Sequence, residues 1–322
     1  MQPFTNILYV NEPGVEQAAT LAHTVALAEK NLAKLTIVDV VPAQVVKAGI
    51  ALPKEETVST NSQATVVGDR QGALETLLQP HRGRLPIRTK LLVGKTFAEV
   101  IRAVLEDGYD LVIKPAENPS WTARLFGNDD LHLLRKCPCP IWLMKSSEKS
   151  NYQNIIAAVD FDPLHPSSVE QALNREILTL AGSLALSDQA KLHLVHAWES
   201  FAEATMRSRS DATFEHLVGY AGLAYTQHKR GLDMLAKELR QEIGEEAYAA
   251  LAPRLHLLQG EAKKTIASLT RDVDADLVIL GTVARRGLIG LIFGNTAETF
   301  LDELSCSVLA IKPPGFKLRT QL

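Results

Sequence analysis

The stretch GTVARRGLIGLIFGNTAE, Gly281–Glu298, follows the apolar run Asp276-Leu-Val-Ile-Leu280. A glycine at a strand end and another before a helix are the parts of an anion-holding loop, because the first N–H groups of a helix have no partners within it. Another strand ends at Val159-Asp160, and a carboxylate there can accept hydrogen bonds from a base or a ribose. Arg285 and Arg286 lie inside the loop, placed either to pair with phosphate or simply to be solvated. The same segment also has a plain structural reading. Asn295 as N-cap, with Glu298 three residues on, is close to a capping box, so Gly-Asn before a helix requires no ligand. There is no G-x-x-x-x-G-K-[ST] and no G-x-G-x-x-G after a strand. The S-G-G-x-D-S loop of pyrophosphate-releasing ligases and the H-x-G-H of nucleotidyl transferases are missing as well. Binding is therefore better supported than turnover, and no Ser/His/Asp or paired-carboxylate arrangement stands out.

Other reactive side chains are sparse. Cys137-Pro-Cys139 with nearby His132 has elements of a metal site, but C-x-C opening a strand is not a closed zinc set, and Cys306 repeats only the second thiol. His193 and His196 lie three apart on one strand and so face opposite sides. They are expected as core or edge histidines, with His196 able to line a cleft at the strand end. Leu232, Met234, Leu235 and Leu239 form a helical stripe suited to a core or an interface.

The elements that position these residues occur twice. Tyr109–Lys145 parallels Ala275–Lys312, aligning Asp110 with Asp276, Phe126-Gly127-Asn128 with Phe293-Gly294-Asn295, and Cys139 with Cys306. Upstream, AKLTIVDVV (Ala33–Val41) matches AKLHLVHAW (Ala190–Trp198), and NILYVNEP (Asn6–Pro13) matches NIIAAVDFDP (Asn154–Pro163) with a short gap. A spacing of about 150–165 residues is a domain duplication, longer than any solenoid period. The boundaries are 1–147 and 151–322, with Ser146-Ser-Glu-Lys-Ser150 as linker. In the second copy, strands are expected at Ile155–Val159, Lys191–Ala197, Arg254–Leu258, Leu277–Leu280 and Ser307–Ile311. Helices are expected at Pro166–Leu186, Asp211–Ile243, Ala262–Asp272 and Thr296–Leu304. Apolar strands joined by helices imply a parallel sheet covered on both faces. The fold class is α/β: two tandem doubly wound, Rossmann-like five-stranded sheets, with ligands expected beyond the carboxyl ends of the strands.

The chain has 322 residues, is 46% hydrophobic and 22% charged, and carries a net charge of −3. No excess of Lys and Arg exists to neutralise a nucleic-acid backbone. No apolar stretch approaches the roughly 20 residues of a membrane span, and the N-terminus does not read as a signal peptide. Three cysteines do not make a disulfide framework, so a reducing, cytoplasmic setting is expected.

NIIAAVDFDP, AKLHLVHAW, GEAKKTIASL, DADLVILGT and FGNTAETFLDELSCSVLAIKP, with their weaker first-copy partners, resemble the universal stress proteins of tandem type. The resemblance spans essentially the whole chain. It implies an adenine nucleotide alpha hydrolase-like fold with pseudo-twofold related domains. In nucleotide-binding members a Val-Asp on strand one contacts adenosine and a Gly-x2-Gly-x9-Gly-[Ser/Thr] loop wraps the phosphates. Laid over the second copy, the resemblance implies ATP or ADP contacts at Asp160, Ala197, Gly281, Thr282, Ala284, Arg285, Gly294, Asn295 and Thr296. Ala284 stands where the middle glycine belongs and Asn295 where Ser or Thr belongs, so the site is degenerate. In the first copy Asn11 stands near the position of Asp160, Pro115 replaces Gly281, and Asp129 and Asp130 occupy the helix start; no nucleotide is expected there. The implied role is ligand-responsive stress adaptation with at most slow ATP hydrolysis. The alternative is a non-enzymatic carrier or interaction protein holding another anionic or amphipathic small molecule in the second-domain cleft. Single-domain relatives pair through their last strands, so Ile141–Lys145 and Ser307–Lys312 are expected to pair the two domains within one chain, with higher oligomers open.

Overall fold

The computed structural model describes residues 3–43, 59–116, 128–199, 214–282 and 303–316. The chain divides into two compact units, Met1–Ser150 and Asn151–Phe316. In the first unit β1 (Asn6–Asn11), β2 (Lys34–Val41), β3 (Ile87–Val93), β4 (Leu111–Pro115) and β5 (Ile141–Met144) lie in the order β3-β2-β1-β4-β5. Every pair among them is parallel. The connecting helices are α1 (Ala18–Asn31), α2 (Ser59–Leu78), α3 (Thr96–Asp107) and α4 (Asn128–Lys136). The sequence explains the layering. Ile7, Leu8, Tyr9 and Val10 are consecutive and wholly buried, so β1 has no solvent face and needs helices on both sides. β3 instead has only half-buried and exposed residues and carries Arg88 and Lys90, charges that discourage pairing at a sheet edge.

The second unit repeats the plan. β6 (Asn154–Ala158), β7 (Lys191–Trp198), β8 (Arg254–Gln259), β9 (Leu277–Gly281) and β10 (Ser307–Ile311) lie in the order β8-β7-β6-β9-β10, again parallel. Helix α5 (Ser168–Asp188) follows β6, and the long α6 (Phe214–Ile243) follows β7. At Gly244, φ 87°, the chain turns out of α6 and enters α7 (Glu245–Leu251); α8 (Ala262–Asp272) precedes β9. Apart from α7, which the sequence reading did not include, these elements match the expected ones to within three residues. The expected helix Thr296–Leu304 lies largely outside the described residues.

The repeated Asp-Leu-Val has a structural task in both units. Asp110 accepts hydrogen bonds from Thr5 N (2.7 Å), Thr5 Oγ1 (2.6 Å) and Asn6 N (3.0 Å), tying the start of β4 to the start of β1. Asp276 does the same for β9 and β6, accepting from Gln153 N (2.6 Å) and Asn154 N (3.0 Å). The Ser146–Ser150 segment is anchored rather than loose: Glu148 is buried, and the Lys149 carbonyl lies 3.0 Å from His23 Nδ1.

Candidate functional site

Strand register assembles the carboxyl edge of the second unit. β6 pairs with β7 through Ala158 and Val195, and with β9 through Ala158 and Leu280. Two residues further on, Asp160, Ala197 and Thr282 therefore stand level on three adjacent strands, at the point where the strand order reverses. Asp160 is fixed through its backbone. Asn174, buried in the second turn of α5, accepts from Asp160 N (3.1 Å) and donates from Nδ2 to Asp160 O (2.6 Å). The Asp160 carboxylate is half-buried at this edge. Thr282 donates its N–H to Ile311 O (2.8 Å), yet its buried hydroxyl has no hydrogen-bond partner among the described residues. A buried hydroxyl without a partner costs about 1–3 kcal/mol, a cost that any group supplying that partner would recover.

Gly281 has a packing reason for its identity. A Cβ there would lie 2.5 Å from Leu173 Cδ2, so α5 itself favours glycine at this strand end. Ala284, Arg285, Gly294, Asn295 and Thr296 lie outside the described residues. The structure thus brings together four of the nine sequence-derived positions: Asp160, Ala197, Gly281 and Thr282.

His196 flanks this edge together with three rings that the sequence did not single out, Phe161, Trp198 and His228. Phe161 stacks on His196 with ring centroids 3.9 Å apart, His196 on His228 at 5.1 Å, and His228 on Trp198 at 5.1 Å. His196 Nδ1 lies 3.2 Å from Val159 O, which can only accept, so this nitrogen carries a proton. In a neutral ring Nε2 then accepts from His228 Nδ1 at 2.9 Å. His196 therefore lines the edge, but as a link joining β6, β7 and α6. His193 pairs with His256 across β7 and β8 at 2.9 Å. Burial first, then His256 and Arg254, push its pKa down from 6.5 to about 4.

The first unit treats the same place differently. The β1–β2 and β6–β7 registers equate Asn6 with Asn154, so Glu12, not Asn11, is the counterpart of Asp160. The side-chain amide clamp confirms this. Gln17 Oε1 accepts from Glu12 N (3.3 Å) and Nε2 donates to Glu12 O (3.3 Å), as Asn174 does for Asp160. The gap that paired Pro13 with Pro163 in sequence had displaced the match by one residue. Across the edge, Lys114 and Pro115 replace Leu280 and Gly281. The Lys114 ammonium is fully buried and bridges Asp130 Oδ1 (2.7 Å), itself fully buried at the start of α4, and Glu12 Oε2 (2.8 Å). Asp130 thus sits at the positive helix end with a cation beside it. A lysine inside the otherwise apolar Leu111-Val-Ile-Lys114-Pro115 was the signal for this cluster.

Elsewhere, Cys137 and Cys139 are buried with their sulfurs 3.6 Å apart. No group of three or more His, Cys, Asp or Glu able to hold a metal occurs among the described residues. Nor, among those residues, is any helix long and apolar enough to cross a membrane.

The profile of the Universal stress protein family matches residues 3–145 and again 151–312. The chain belongs to the universal stress protein family. It carries the family's sequence twice. The universal stress protein E homolog of Haemophilus influenzae is 29% identical over 318 residues, covering 96% of this chain and 98% of its own. Universal stress protein E of Escherichia coli K12 is 30% identical over 244 residues, covering 74% and 72%. Among solved structures, a functionally unknown protein from Pseudomonas aeruginosa PAO1 superposes with a TM-score of 0.65 at 24% identity, covering 97% of this chain and 94% of its own. A universal stress protein from Archaeoglobus fulgidus gives 0.59 at 13% identity, with 96% of each chain covered. These likenesses establish the universal stress protein fold for the chain.

Proposed function

We propose that this tandem universal stress protein adapts the cell to stress by holding an adenine nucleotide, ATP or ADP, at the second unit alone. The reading rests on one contrast. At the same point of the same fold, the second unit leaves the Thr282 hydroxyl without a partner among the described residues beside the Asp160 carboxylate. The first unit fills the place with Lys114, Asp130 and Glu12. In the second unit Asp160 is suited to a ribose or base edge, Thr282 to a phosphate or ribose oxygen, and the glycine loop to the phosphates. No described side chain is placed as a general base, so the role is ligand response rather than turnover.

Titration calorimetry of the full chain with ADP tests this, using the mirrored variants Asp160→Asn and Glu12→Gln. Loss of one charge-assisted hydrogen bond of about 1.5–3 kcal/mol should weaken binding about 10- to 100-fold in Asp160→Asn. Glu12→Gln should leave affinity unchanged. Absence of binding in the parent chain, or equal weakening by the two variants, refutes the reading.

A further inference from the structure

We infer that the second unit carries another small-molecule site, one that takes an organic ammonium ion with an apolar body. A cleft of about 480 Å³ opens between the loop after β6, the first turns of α5, and the middle of α6. That volume is in the range that holds small ligands. Its walls are apolar: Phe161, Pro163 and Pro166 on one side, Met234 and Leu235 on the other. Phe161 is fixed in place. Its far side stacks on His196, and its edge lies where a side chain at residue 231 would project, so the absence of a Cβ at Gly231 lets the ring lie against α6. Met234 belongs to the sequence stripe of α6, but its companions Leu232, Leu235 and Leu239 are buried while Met234 is 56% exposed. Leu164 and Val169, neighbours in sequence of the lining residues Pro163 and Glu170, are also exposed, at 63% and 51%. Exposed apolar side chains gathered around a preformed cleft mark a binding surface more than scattered ones do.

The charges choose the ligand. Among the described residues, Asp162, Glu170 and Glu238 line the cleft together with one guanidinium, that of Arg230. Asp162 comes from the loop, where it accepts from Leu164 N and His165 N and lies 3.5 Å from His165 Nδ1; Glu170 comes from α5 and Arg230 from α6. Glu238 lies eight residues further along α6, about 12 Å from Arg230 at 1.5 Å per residue. Among the described residues the net lining charge is negative, which disfavours the phosphates proposed for the Asp160 edge and favours an ammonium group near Glu238. The apolar body then rests on Phe161, Met234 and Leu235. Neither Asp160 nor Thr282 lines this cleft, but it adjoins their edge through Phe161 and through Asn174, which holds the Asp160 backbone.

The full chain labelled with ¹³C-methyl methionine tests the inference by NMR. The probes are 2-phenylethylamine and phenylacetate, similar in size and opposite in charge. Met234 reports on the cleft, and Met144, wholly buried in the first unit, is the internal control. The Met234 methyl signal should shift saturably with the amine, and at least tenfold more acid than amine should be needed for the same shift. Glu238→Gln should weaken the amine about fivefold, the size of a partly exposed charge pair. Equal response to both probes, no saturable shift at Met234, parallel shifts at Met144, or unchanged amine affinity in Glu238→Gln would each overturn it.

Discussion

Replacing Lys114 by methionine should destabilise the first unit more than any single surface change, because of what it leaves behind. Lys114 and Asp130 are both fully buried, whereas the Glu12 side chain is 23% exposed. Removing the ammonium takes away the cation 2.7 Å from the buried Asp130 carboxylate, while Glu12 can turn to water. Breaking a buried pair from one side costs about 3–5 kcal/mol. Asp130→Asn should cost less, about 1–3 kcal/mol, since Lys114 keeps Glu12 and the amide oxygen still accepts. The double variant should recover about 2 kcal/mol relative to Lys114→Met alone, because no uncompensated buried charge remains. Urea unfolding followed by Trp142 fluorescence, in a Trp121→Phe and Trp198→Phe background, confines the signal to the first unit. A Lys114→Met loss under about 1 kcal/mol, or strictly additive effects in the double variant, would refute the claim that this cluster is a coupled buried charge system.

Three further outcomes follow from other places in the fold. Leu32 and Gln189 end α1 and α5 with φ of 52° and 57°, and Leu32 is 82% exposed; Leu32→Gly and Gln189→Gly should each stabilise by about 1 kcal/mol in denaturant titration. His193 is held neutral by a pKa lowered from 6.5 to about 4, so the unfolded chain binds the extra proton across that window. Stability should fall as pH drops from 6.5 towards 4, by up to about 2 kcal/mol after solvent screening, and His193→Phe should flatten that slope. Asp276→Ala removes the acceptor for Gln153 N and Asn154 N and should cost about 2–4 kcal/mol, read as a lower midpoint for unfolding followed by Trp198.

The strands and helices were legible because their apolar runs are long and bounded by glycine, proline or charge. The duplication gave two readings of every element, and Lys191–Ala197 and Ala262–Asp272 fall where pattern placed them. The candidate site was legible only where it lies on strands: Asp160 and Thr282 follow from register once the sheet order is known. Pairing Asn11 with Asp160 failed because sequence matching allowed a gap that parallel strands cannot accommodate. The Phe161–His196–His228–Trp198 stack was not legible either, since its members come from a loop, a strand and a helix and share no spacing. Met234 looked like part of a buried stripe because one helical turn holds both a core-facing and a cleft-facing residue.

The aspartate clips at the strand starts have a consequence for synthesis. In each unit the first strand made is the middle strand of its sheet, and one of its two neighbours comes from far down the chain. Thr5 waits for Asp110, 105 residues later, and Gln153 for Asp276, 123 residues later. At roughly 5–20 residues per second, Asp110 emerges about 5–20 s after Thr5. Throughout that interval Ile7–Val10, which end wholly buried, have a bare hydrogen-bonding edge on the nascent chain. A ribosome-bound fragment ending before residue 110 should therefore be the form most readily captured by chaperones, and release of that hold should coincide with the arrival of β4.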